Sequence, residues 1–460
     1  MEYDVVIIGA GPGGYVAAIR AAQLGLSVCA VEEGAVGGTC LNRGCIPTKA
    51  LYASLSLLAQ VRRASEYGLR VGSVEVDFPA LMARKAAVVD RLVKGIHHLF
   101  KKNRITLLAG RGRLLDRRRV RVEGPGGEVR EVAGRHVILA TGSRPAVLPA
   151  LGYDGRQVIT SDEALSLEAV PASLLVVGGG AIGCEFASLF AELGSRVTVV
   201  EAMPNLLPLV DEEVSRQLRS YFKRRGIEVK TGTTVQAVEK RPASVRVVLG
   251  SGEELEVERV LVSVGRAPNT RDLGLEEAGV ELNARGEIPV TEGMETNVPG
   301  IYAVGDVTDV RAKLAHVASR QGVVAAERIA GRPAAMDYRA VPSCVFTRPE
   351  VASVGLTEAE AERVGRPIRV GRFFFLASGK ALAMGETEGF VKVVADGRDG
   401  RVLGVHIIGP HASDLIAEGT LAVEAGLTAE RLAQVMHAHP TLPEALWEAA
   451  EAAEGRAIHA

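Results

Sequence analysis

The sequence lacks several features that would place it in a specialised class of protein. Its 460 residues contain no uninterrupted apolar run of about 20 residues, the length that a membrane-spanning helix requires. The first apolar strand begins at Tyr3, without the basic start and small-residue cleavage site of a signal peptide. We therefore expect a cytoplasmic protein. The net charge of -1 favours neither nucleic acid nor an anionic membrane as a partner.

Cysteine is also scarce, with five residues in the whole chain. A small, odd number in a long chain is not the pattern of a disulfide-stabilised secreted fold. Cys40 and Cys45 stand close together, which favours redox chemistry or metal binding. No second pair of cysteines or histidines stands nearby at zinc-site spacing, so we expect no metal. We expect Cys29, Cys184 and Cys344, in apolar segments, to be packed and unreactive.

The chain contains a repeated strand–turn–helix–strand pattern. In the first copy, the β-branched run Tyr3–Ile8 enters a glycine-rich turn, a helical stretch stops at Gly25, and a second strand ends at Glu32. The same string returns between Leu174 and Glu201, with identical spacing between its glycines and its acidic residue. A single such match could be an ordinary turn. Two matches in this context indicate two dinucleotide-binding fingerprints.

The glycines in each copy have separate physical tasks. The first allows a tight turn, the second allows close approach of a pyrophosphate, and the third lets helix and strand pack closely. The pyrophosphate then lies at the positive end of the helix, and the acidic residue accepts hydrogen bonds from ribose hydroxyls. The first copy supplies Gly9, Gly11, Gly13, Gly14 and Glu32, and the second supplies Gly178, Gly180, Ala181, Ile182, Gly183 and Glu201.

The acidic residue of the second copy also bears on the identity of its cofactor. The Glu201 carboxylate would repel a 2′-phosphate, and the next arginine, Arg216, lies well past the strand end. NADP sites commonly provide an arginine at this place. The sequence therefore predicts NAD rather than NADP at the second fingerprint.

The cysteine pair lies in the segment GGTCLNRGCIPTK, residues 37–49, soon after the first fingerprint. Gly44 would help the chain to bend so that Cys40 and Cys45 can form a disulfide. Such a pair passes two electrons when the disulfide opens and closes. Pro47 favours a helix that begins near Cys45, and a helix N-terminus lowers the pKa of a thiol. Two unreactive buried thiols are the alternative interpretation.

This segment closely resembles the active-site signature of the class I flavoprotein disulfide reductases, and within them the branch that oxidises dihydrolipoamide with NAD. The resemblance covers essentially the whole chain. Four further motifs of the family follow in order, namely ATGSRP (140–145), VGRAPN (264–269), GIYAVGDV (300–307) and HAHPTLPE (437–444). The resemblance implies FAD and NAD as cofactors.

The resemblance implies an α/β fold, with two Rossmann-like dinucleotide-binding domains and a C-terminal α+β dimerisation domain. The expected domains are the first part of an FAD-binding domain (1–147), an NAD-binding domain (148–268), a central domain completing the FAD site (269–337) and a dimerisation domain (338–460). The family pattern therefore implies a homodimer.

The family pattern also implies roles for individual residues. Cys45 would face the flavin and Cys40 would exchange with the substrate. Lys49 and Glu185 would pair near the flavin ring, and Asp306 would bind the ribityl chain. Further cofactor contacts are implied at Gly38, Thr39, Lys49, Gly112, Thr141, Gly142, Ser143, Lys313, Leu314, Ala315, His316, Val235 and Gly265.

A base is needed as well, because dithiol oxidation requires removal of a proton from the attacking thiol. An imidazole is the usual acceptor near neutral pH, and Glu444 could fix the tautomer of His439. A histidine before proline can also be a simple surface residue, but the family pattern makes His439 the base for the cysteines of the other subunit. His437 is the local competitor, to which we give at most a supporting role.

Some positions depart from the family pattern. Ala312-Lys313 stands where Pro-Met is frequent, and Arg348 replaces a common histidine. Mercuric reductases and large thioredoxin reductases carry C-terminal cysteines that the end of this sequence does not have, and glutathione reductases use NADP.

The expected function is oxidation of dihydrolipoamide on a lipoyl-bearing acyltransferase of a 2-oxo acid dehydrogenase, or on the carrier protein of a glycine cleavage system. One alternative is an NAD(P)H-dependent reductase of another disulfide or electrophile. The other is a non-enzymatic flavoprotein subunit, against which the intact cysteine pair and the His439–Glu444 set argue.

Overall fold

The computed structural model describes residues 2–459, and the chain forms two compact units. The first unit comprises Met1–Ser54, Asp77–Ala146 and Arg266–Asp337. The second comprises Leu55–Val76, Val147–Gly265 and Tyr338–Ala460. None of the helices within residues 2–459 is long and apolar enough to cross a membrane.

Strands and helices alternate through most of the chain. The strands are β1 (Glu2–Ile8), β2 (Val28–Glu32), β3 (Thr106–Ala109), β4 (Arg111–Leu114), β5 (Arg119–Glu123), β6 (Val129–Leu139), β7 (Ser143–Pro145), β8 (Val158–Ile159), β9 (Ser173–Val177), β10 (Arg196–Glu201), β11 (Glu228–Thr231), β12 (Val235–Lys240), β13 (Val245–Leu249), β14 (Glu254–Val257), β15 (Arg259–Val262), β16 (Arg266–Pro268), β17 (Ile301–Ala303), β18 (Ser343–Val345), β19 (Glu350–Gly355), β20 (Ile368–Phe374), β21 (Phe390–Asp396) and β22 (Val402–Gly409). The helices are α1 (Pro12–Gln23), α2 (Gly38–Arg43), α3 (Cys45–Arg62), α4 (Phe78–Lys102), α5 (Ser161–Ala164), α6 (Ala181–Glu192), α7 (Glu212–Arg224), α8 (Leu275–Ala278), α9 (Ala315–Ile329), α10 (Glu358–Arg363), α11 (Gly379–Ala383), α12 (Ala412–Glu424), α13 (Ala429–Ala433) and α14 (Glu444–Ala453).

The first unit is built on a sheet in the order β3-β2-β1-β6-β5-β4, with β17 also paired to β6. Strands β3, β2, β1, β6 and β17 run parallel, whereas β4, β5 and β6 form an antiparallel meander. The last four residues of β1, at 5–8, are fully buried, as expected for a central strand covered on both faces. This sheet is the Rossmann-like layer that the first fingerprint predicts.

Helices α1 and α9 pack closely on this sheet because glycine stands at their contact. A Cβ on Gly322 of α9 would lie 2.4 Å from the carbonyl oxygen of Gly13 in α1. The absent side chain lets the two helix backbones approach each other. The first turn of α1 is thereby held in a fixed position against α9.

The second unit contains another parallel sheet, in the order β11-β10-β9-β15-β8, and a separate three-stranded antiparallel sheet β12-β13-β14. All five residues of β9 are buried, which identifies it as the central strand. Both fingerprints therefore lie in parallel α/β layers.

The C-terminal part of the second unit is an antiparallel sheet in the order β18-β19-β22-β21-β20. All seven residues of β21 are buried, and residues of α12 and α14 belong to the same core as β21 and β22. This α+β arrangement, beside the two parallel sheets, confirms the predicted fold class.

An ion cluster centred on a buried lysine also lies in the second unit. The Lys392 ammonium is 2.9 Å from Asp211, 3.2 Å from Glu213 and 2.6 Å from Glu358, while the residue is only 1% exposed. Several carboxylates around one buried ammonium compensate for its lost hydration. The cluster connects the beginning of α7 to β21 and α10.

Candidate active site and dinucleotide sites

The first glycine-rich turn connects β1 to α1. Gly9 has a φ of 100°, and a Cβ there would lie 2.3 Å from the carbonyl oxygen of Ala140. A Cβ on Gly14 would lie 1.9 Å from the carbonyl oxygen of Gly9. Glycine is required at both positions, because a side chain would push the helix away from the turn.

Glu32, at the end of β2, holds this turn through both carboxylate oxygens. Oε2 accepts a hydrogen bond from the Ala10 amide at 2.6 Å, and Oε1 accepts one from the Gly34 amide at 2.9 Å. Two further backbones meet beside it, since a Cβ on Gly38 would lie 2.7 Å from the Cα of Gly11. This cradle of bare backbone, which a Cβ would fill, suits the pyrophosphate of FAD.

Two other predicted contact residues lie on elements around this turn. Thr39 follows Gly38 in the first turn of α2, and Gly112 lies in β4. A Cβ on Gly112 would be 2.9 Å from the Cγ2 of Ile8, so β4 lies close over the end of β1.

Helices α2 and α3 place the two cysteines next to each other. Cys40 lies in α2, Cys45 is the first residue of α3, and Gly44 joins the two helices. Both cysteines are thiols. The hydrogen bond with the Cys45 side chain is the largest cause that raises the pKa of Cys40, and burial is the second. The raised pKa keeps the proton on Cys40.

A lysine lies one helical turn beyond the pair. The positive charge of Lys49 lowers the pKa of Cys40, whereas the carboxylate of Asp306 raises it. Thr48 donates a hydrogen bond to the Cys45 carbonyl oxygen at 2.9 Å, which fixes the first turn of α3. The helix therefore brings a cation to the dithiol, and its charge offsets part of the increase in the pKa of Cys40.

The ATG segment and Asp306 form a polar network. Ser143 Oγ donates to Asp306 Oδ2 at 2.5 Å, and Arg266 Nε donates to Ser143 Oγ at 2.7 Å. Beside it, Thr141 Oγ1 donates to the Asn269 carbonyl oxygen at 2.7 Å, and Asn269 Nδ2 donates to the Thr141 carbonyl oxygen at 3.0 Å. The hydrogen bond from Ser143 fixes the orientation of the Asp306 carboxylate.

Sequence reasoning did not include Arg266 and Asn269 among the site residues. Both residues lie in the VGRAPN motif, which is one of the motifs that the chain shares with the family. Their place in this motif, directly after β15, could have indicated them from the sequence. The Asn269 amide also donates to the Gly142 carbonyl oxygen at 2.9 Å. The two residues organise the ATG segment, so they support the FAD site.

The departure at Lys313 has a structural explanation. Its ammonium lies 3.0 Å from Glu287 Oε1 and also donates a hydrogen bond to the Thr308 carbonyl oxygen. Glu287 is only 9% exposed, and the ion pair compensates for its burial. Leu314 is the N-cap of α9, and residues 315–316 form its first turn. The ion pair of Lys313 with Glu287 thus holds the loop that precedes α9.

The second glycine-rich turn, between β9 and α6, repeats the geometry of the first. Gly178 has a φ of 109°, and a Cβ there would lie 2.4 Å from the carbonyl oxygen of Ser263. A Cβ on Gly183 would lie 1.9 Å from the carbonyl oxygen of Gly178, whereas one on Gly180 would meet open space. Residues 181–182 begin the helix, where backbone amides have no acceptor within the helix itself.

Glu201, at the end of β10, repeats the role of the first acid. Its Oε2 accepts from the Gly179 amide at 2.5 Å and its Oε1 accepts from the Met203 amide at 2.7 Å. The next arginine, Arg216, pairs with Glu212 on α7 at 3.4 Å. This carboxylate environment fits the free ribose hydroxyls of NAD.

The remaining predicted residues of the second unit lie on three elements. Val235 begins β12, and Gly265 follows β15 with a φ of 119°. Glu185, in α6, is 7% exposed and accepts a hydrogen bond from the Phe346 amide at 3.0 Å. Its pairing with Lys49 stays a prediction.

The other three cysteines lie apart from this chemistry. Burial raises the pKa of Cys29, in β2, to about 12. Burial also raises the pKa of Cys184, in α6, whose Sγ donates to the Gly179 carbonyl oxygen at 3.3 Å. Cys344 lies in β18. High thiol pKa values keep Cys29 and Cys184 protonated and unreactive.

His439 and Glu444 meet at the beginning of α14. The His439 Nδ1 lies 2.8 Å from Glu444 Oε1, and the Thr441 amide donates to Glu444 Oε2 at 2.7 Å. Burial raises the pKa of Glu444, but the hydrogen bonds from Thr441 and His439 outweigh it, so the pKa lies below its ordinary value. The His439 side chain is 80% exposed.

Two protein-family models match the amino-acid sequence of the chain. The model for pyridine nucleotide-disulphide oxidoreductases matches residues 3–322, and the model for the dimerisation domain of the same proteins matches residues 341–450. The chain therefore belongs to the pyridine nucleotide-disulphide oxidoreductase family. It is an oxidoreductase with FAD and NAD as cofactors, and it carries the family's dimerisation domain.

The curated relatives narrow the class. Over 459 residues the chain is 45% identical to a dihydrolipoyl dehydrogenase of Chlamydia muridarum, covering 99% of this chain and 98% of that protein. It is 45% identical over 472 residues to the one of Bacillus subtilis, covering 100% and 99%. The dihydrolipoyl dehydrogenase of Thermus scotoductus is 46% identical over 463 residues, covering 99% and 98%.

Solved structures share the fold. LpdA from Mycobacterium tuberculosis superposes with a TM-score of 0.92 at 31% identity, covering 97% of this chain and 98% of that chain. The flavoprotein disulfide reductase RclA from Escherichia coli superposes with a TM-score of 0.88 at 28% identity, covering 98% and 99%.

Proposed function

We propose that the chain acts as a dihydrolipoyl dehydrogenase, oxidising protein-bound dihydrolipoamide with NAD. The observation that carries this proposal is the Cys40–Cys45 dithiol at a helix N-terminus, with Lys49 one turn away. The full-length similarity to dihydrolipoyl dehydrogenases supports the choice of substrate.

The cysteines carry the exchange of electrons with the substrate. A thiolate of dihydrolipoamide attacks the sulfur of Cys40 in the Cys40–Cys45 disulfide, and Cys45 leaves as a thiolate. The second substrate thiolate then displaces Cys40 from the mixed disulfide, so that lipoamide forms and the pair becomes the Cys40 thiol and the Cys45 thiolate. Two electrons pass from substrate to protein, and one of the two substrate protons stays on Cys40.

The other proton needs a base, for which we propose His439 of the partner subunit. Glu444 occupies Nδ1 of its own His439, so that Nε2 is the atom that accepts the proton from the substrate thiol. The hydrogen-bonded carboxylate also stabilises the imidazolium that results. The family's dimerisation domain supports a homodimer in which the site is shared.

The two fingerprints divide the cofactors between them. FAD, when bound at the first fingerprint, supplies the two-electron relay from the dithiol to NAD at the second. We propose the contacts that the sequence predicts at each, with Lys49 and Glu185 paired near the flavin. We also propose four domains, namely the first part of the FAD-binding domain (1–147), the NAD-binding domain (148–268), the central domain (269–337) and the dimerisation domain (338–460).

The physiological partner would present its dithiol on a swinging lipoyl group. We propose a lipoyl-bearing acyltransferase of a 2-oxo acid dehydrogenase, or the carrier protein of a glycine cleavage system. Both partners present the same dithiol, so the Cys40–Cys45 site fits either partner.

A steady-state assay tests the proposal. The purified protein should be yellow, and it should reduce NAD with dihydrolipoamide at least about 100-fold faster than it reduces glutathione disulfide with NADPH. Cys45→Ser should abolish the first reaction. A colourless folded protein that takes up no FAD, or faster reduction of glutathione disulfide, would remove the assignment.

A further inference from the structure

The loop that carries His439 is anchored by a second histidine, His437. This loop joins α13 to α14, and in its segment 434–440 every residue except His437 is exposed. The His437 side chain is 6% exposed, against 80% for His439. His437 is thus the one inserted side chain of segment 434–440, while Leu442 holds the end of the loop in the core of the C-terminal sheet.

Both ring nitrogens of His437 have hydrogen-bond partners. Nε2 lies 2.8 Å from Glu418 Oε1, and Nδ1 lies 2.9 Å from the Val435 carbonyl oxygen. A carbonyl oxygen and a carboxylate oxygen are both acceptors, so both ring nitrogens must donate. The geometry is therefore that of an imidazolium ion paired with Glu418.

Glu418 is a firm point of attachment because it lies on α12. Buried residues of this helix, Ala412, Ile416 and Ala422, belong to the core of the C-terminal sheet. The hydrogen bond from His437 to Glu418 thus connects the exposed loop to a packed helix. The effect is to hold the segment just before His439.

The two histidine–glutamate pairs also interact electrostatically. The hydrogen bond to Glu418 is the largest cause that raises the pKa of His437, and the Glu444 carboxylate adds to it. The positive charge of His437 in turn contributes to the lowered pKa of Glu444, after the larger effects of burial, Thr441 and His439. The charge of His437 therefore couples the Glu418 pair to the Glu444 pair.

We propose that His437, held by Glu418, is a positioning residue for the reaction. It keeps the loop in the place where His439, oriented by Glu444, can reach the substrate dithiol. This proposal rests on the base role given to His439 above. Displacement of a catalytic group by about 1 Å can cost up to about 100-fold in rate, so a loss of this anchor has a measurable effect.

The test uses the full-length, FAD-loaded dimer. His437→Ala should lower kcat for dihydrolipoamide and NAD about tenfold, since the base is misplaced in part of the population. Reduction of an artificial dye by NADH needs no proton from a substrate dithiol and should stay within about twofold, as should KM for NAD. His437→Gln keeps a donor toward Glu418 and should recover most of kcat.

Two further variants separate the anchor from general effects on the helix. Glu418→Gln removes the charge but keeps a polar side chain, and should lower kcat less than His437→Ala. Glu424→Gln changes an exposed carboxylate on the same helix and should leave kcat at the wild-type value. A wild-type kcat for both His437→Ala and Glu418→Gln would overturn the proposal.

A double-variant cycle distinguishes the anchor from the base role on which it rests. If His437 acts through His439, adding His437→Ala to His439→Gln should cause no further loss of kcat. A second tenfold loss in that background would contradict the positioning role while leaving the base intact. A wild-type kcat for His439→Gln alone would instead overturn the base assignment, and the positioning role with it.

Discussion

The two glycine-rich turns of this protein are built alike but have different surroundings. Each turn has a glycine of positive φ and a second glycine, in the helix, that packs against the first. In each turn a glutamate accepts hydrogen bonds from two backbone amides. The first turn meets Gly38 of α2, the helix that carries Cys40, and both Cys45 and Asp306 act on the pKa of Cys40. The second meets Ser263, with the buried thiol of Cys184 in its helix.

The difference teaches that the fingerprint provides binding and that its surroundings decide the chemistry. Identical backbone geometry can hold either dinucleotide. Only at the first turn does the described part of the chain place a close pair of thiols. Cys45, which we propose to be reactive, begins a helix near a lysine, whereas burial raises the pKa of Cys184 and keeps its thiol protonated.

The largest expected effect comes from closing either turn. Gly14→Ala should abolish FAD binding, because the new Cβ would overlap the Gly9 carbonyl oxygen. Gly183→Ala should abolish the use of NAD while the protein stays yellow. Visible absorbance of the purified variants and NADH oxidation check this. FAD loss in Gly183→Ala and retention in Gly14→Ala would reverse the assignment of the turns.

The cysteine pair should give the next largest effect. Cys40→Ser and Cys45→Ser should each lower kcat by roughly 10³-fold or more, since neither thiol has a substitute. Without any reductant, the oxidised Cys40→Ser variant should show a long-wavelength absorption band between a thiolate and the flavin, and Cys45→Ser should show none, because Cys45 is proposed to face the flavin. A band in the Cys45 variant alone would exchange the two roles.

Replacing the acid of the second turn should have a moderate effect. Glu201→Ala removes both the repulsion of a 2′-phosphate and the acceptor for the ribose hydroxyls, and should narrow the preference for NAD over NADP about tenfold, or about 1.4 kcal/mol. The ratio of kcat/KM for the two nucleotides measures this. Glu212→Gln, an exposed carboxylate on α7, serves as the control.

The smallest effect should come from the thiol of the second turn. Cys184→Ala should leave kcat within about twofold and cost about 1 kcal/mol of stability through the small cavity that it creates. Thermal unfolding and the steady-state assay measure the two quantities. Loss of activity with an unchanged Tm would show that Cys184 takes part in the chemistry.

The turns could be predicted from sequence because their glycines, strand and acid lie within one short local pattern. The hydrogen bonds of Arg266 to Ser143 could not, because they join segments far apart in the chain whose proximity depends on the whole fold. The same holds for the pairing of His437 with Glu418, which depends on how the loop packs against α12. Local patterns predict turns and helix ends, whereas polar networks need the tertiary structure.

The most direct test of the account separates the two half-reactions in one anaerobic cuvette. Dihydrolipoamide alone should change the visible spectrum of the wild-type protein, and NAD should then restore it. In Gly183→Ala, dihydrolipoamide should still change the spectrum, but NAD should fail to restore it. If NAD restored the spectrum of this variant, or if the variant did not respond to dihydrolipoamide, the assignment of FAD to the first turn and NAD to the second would be contradicted.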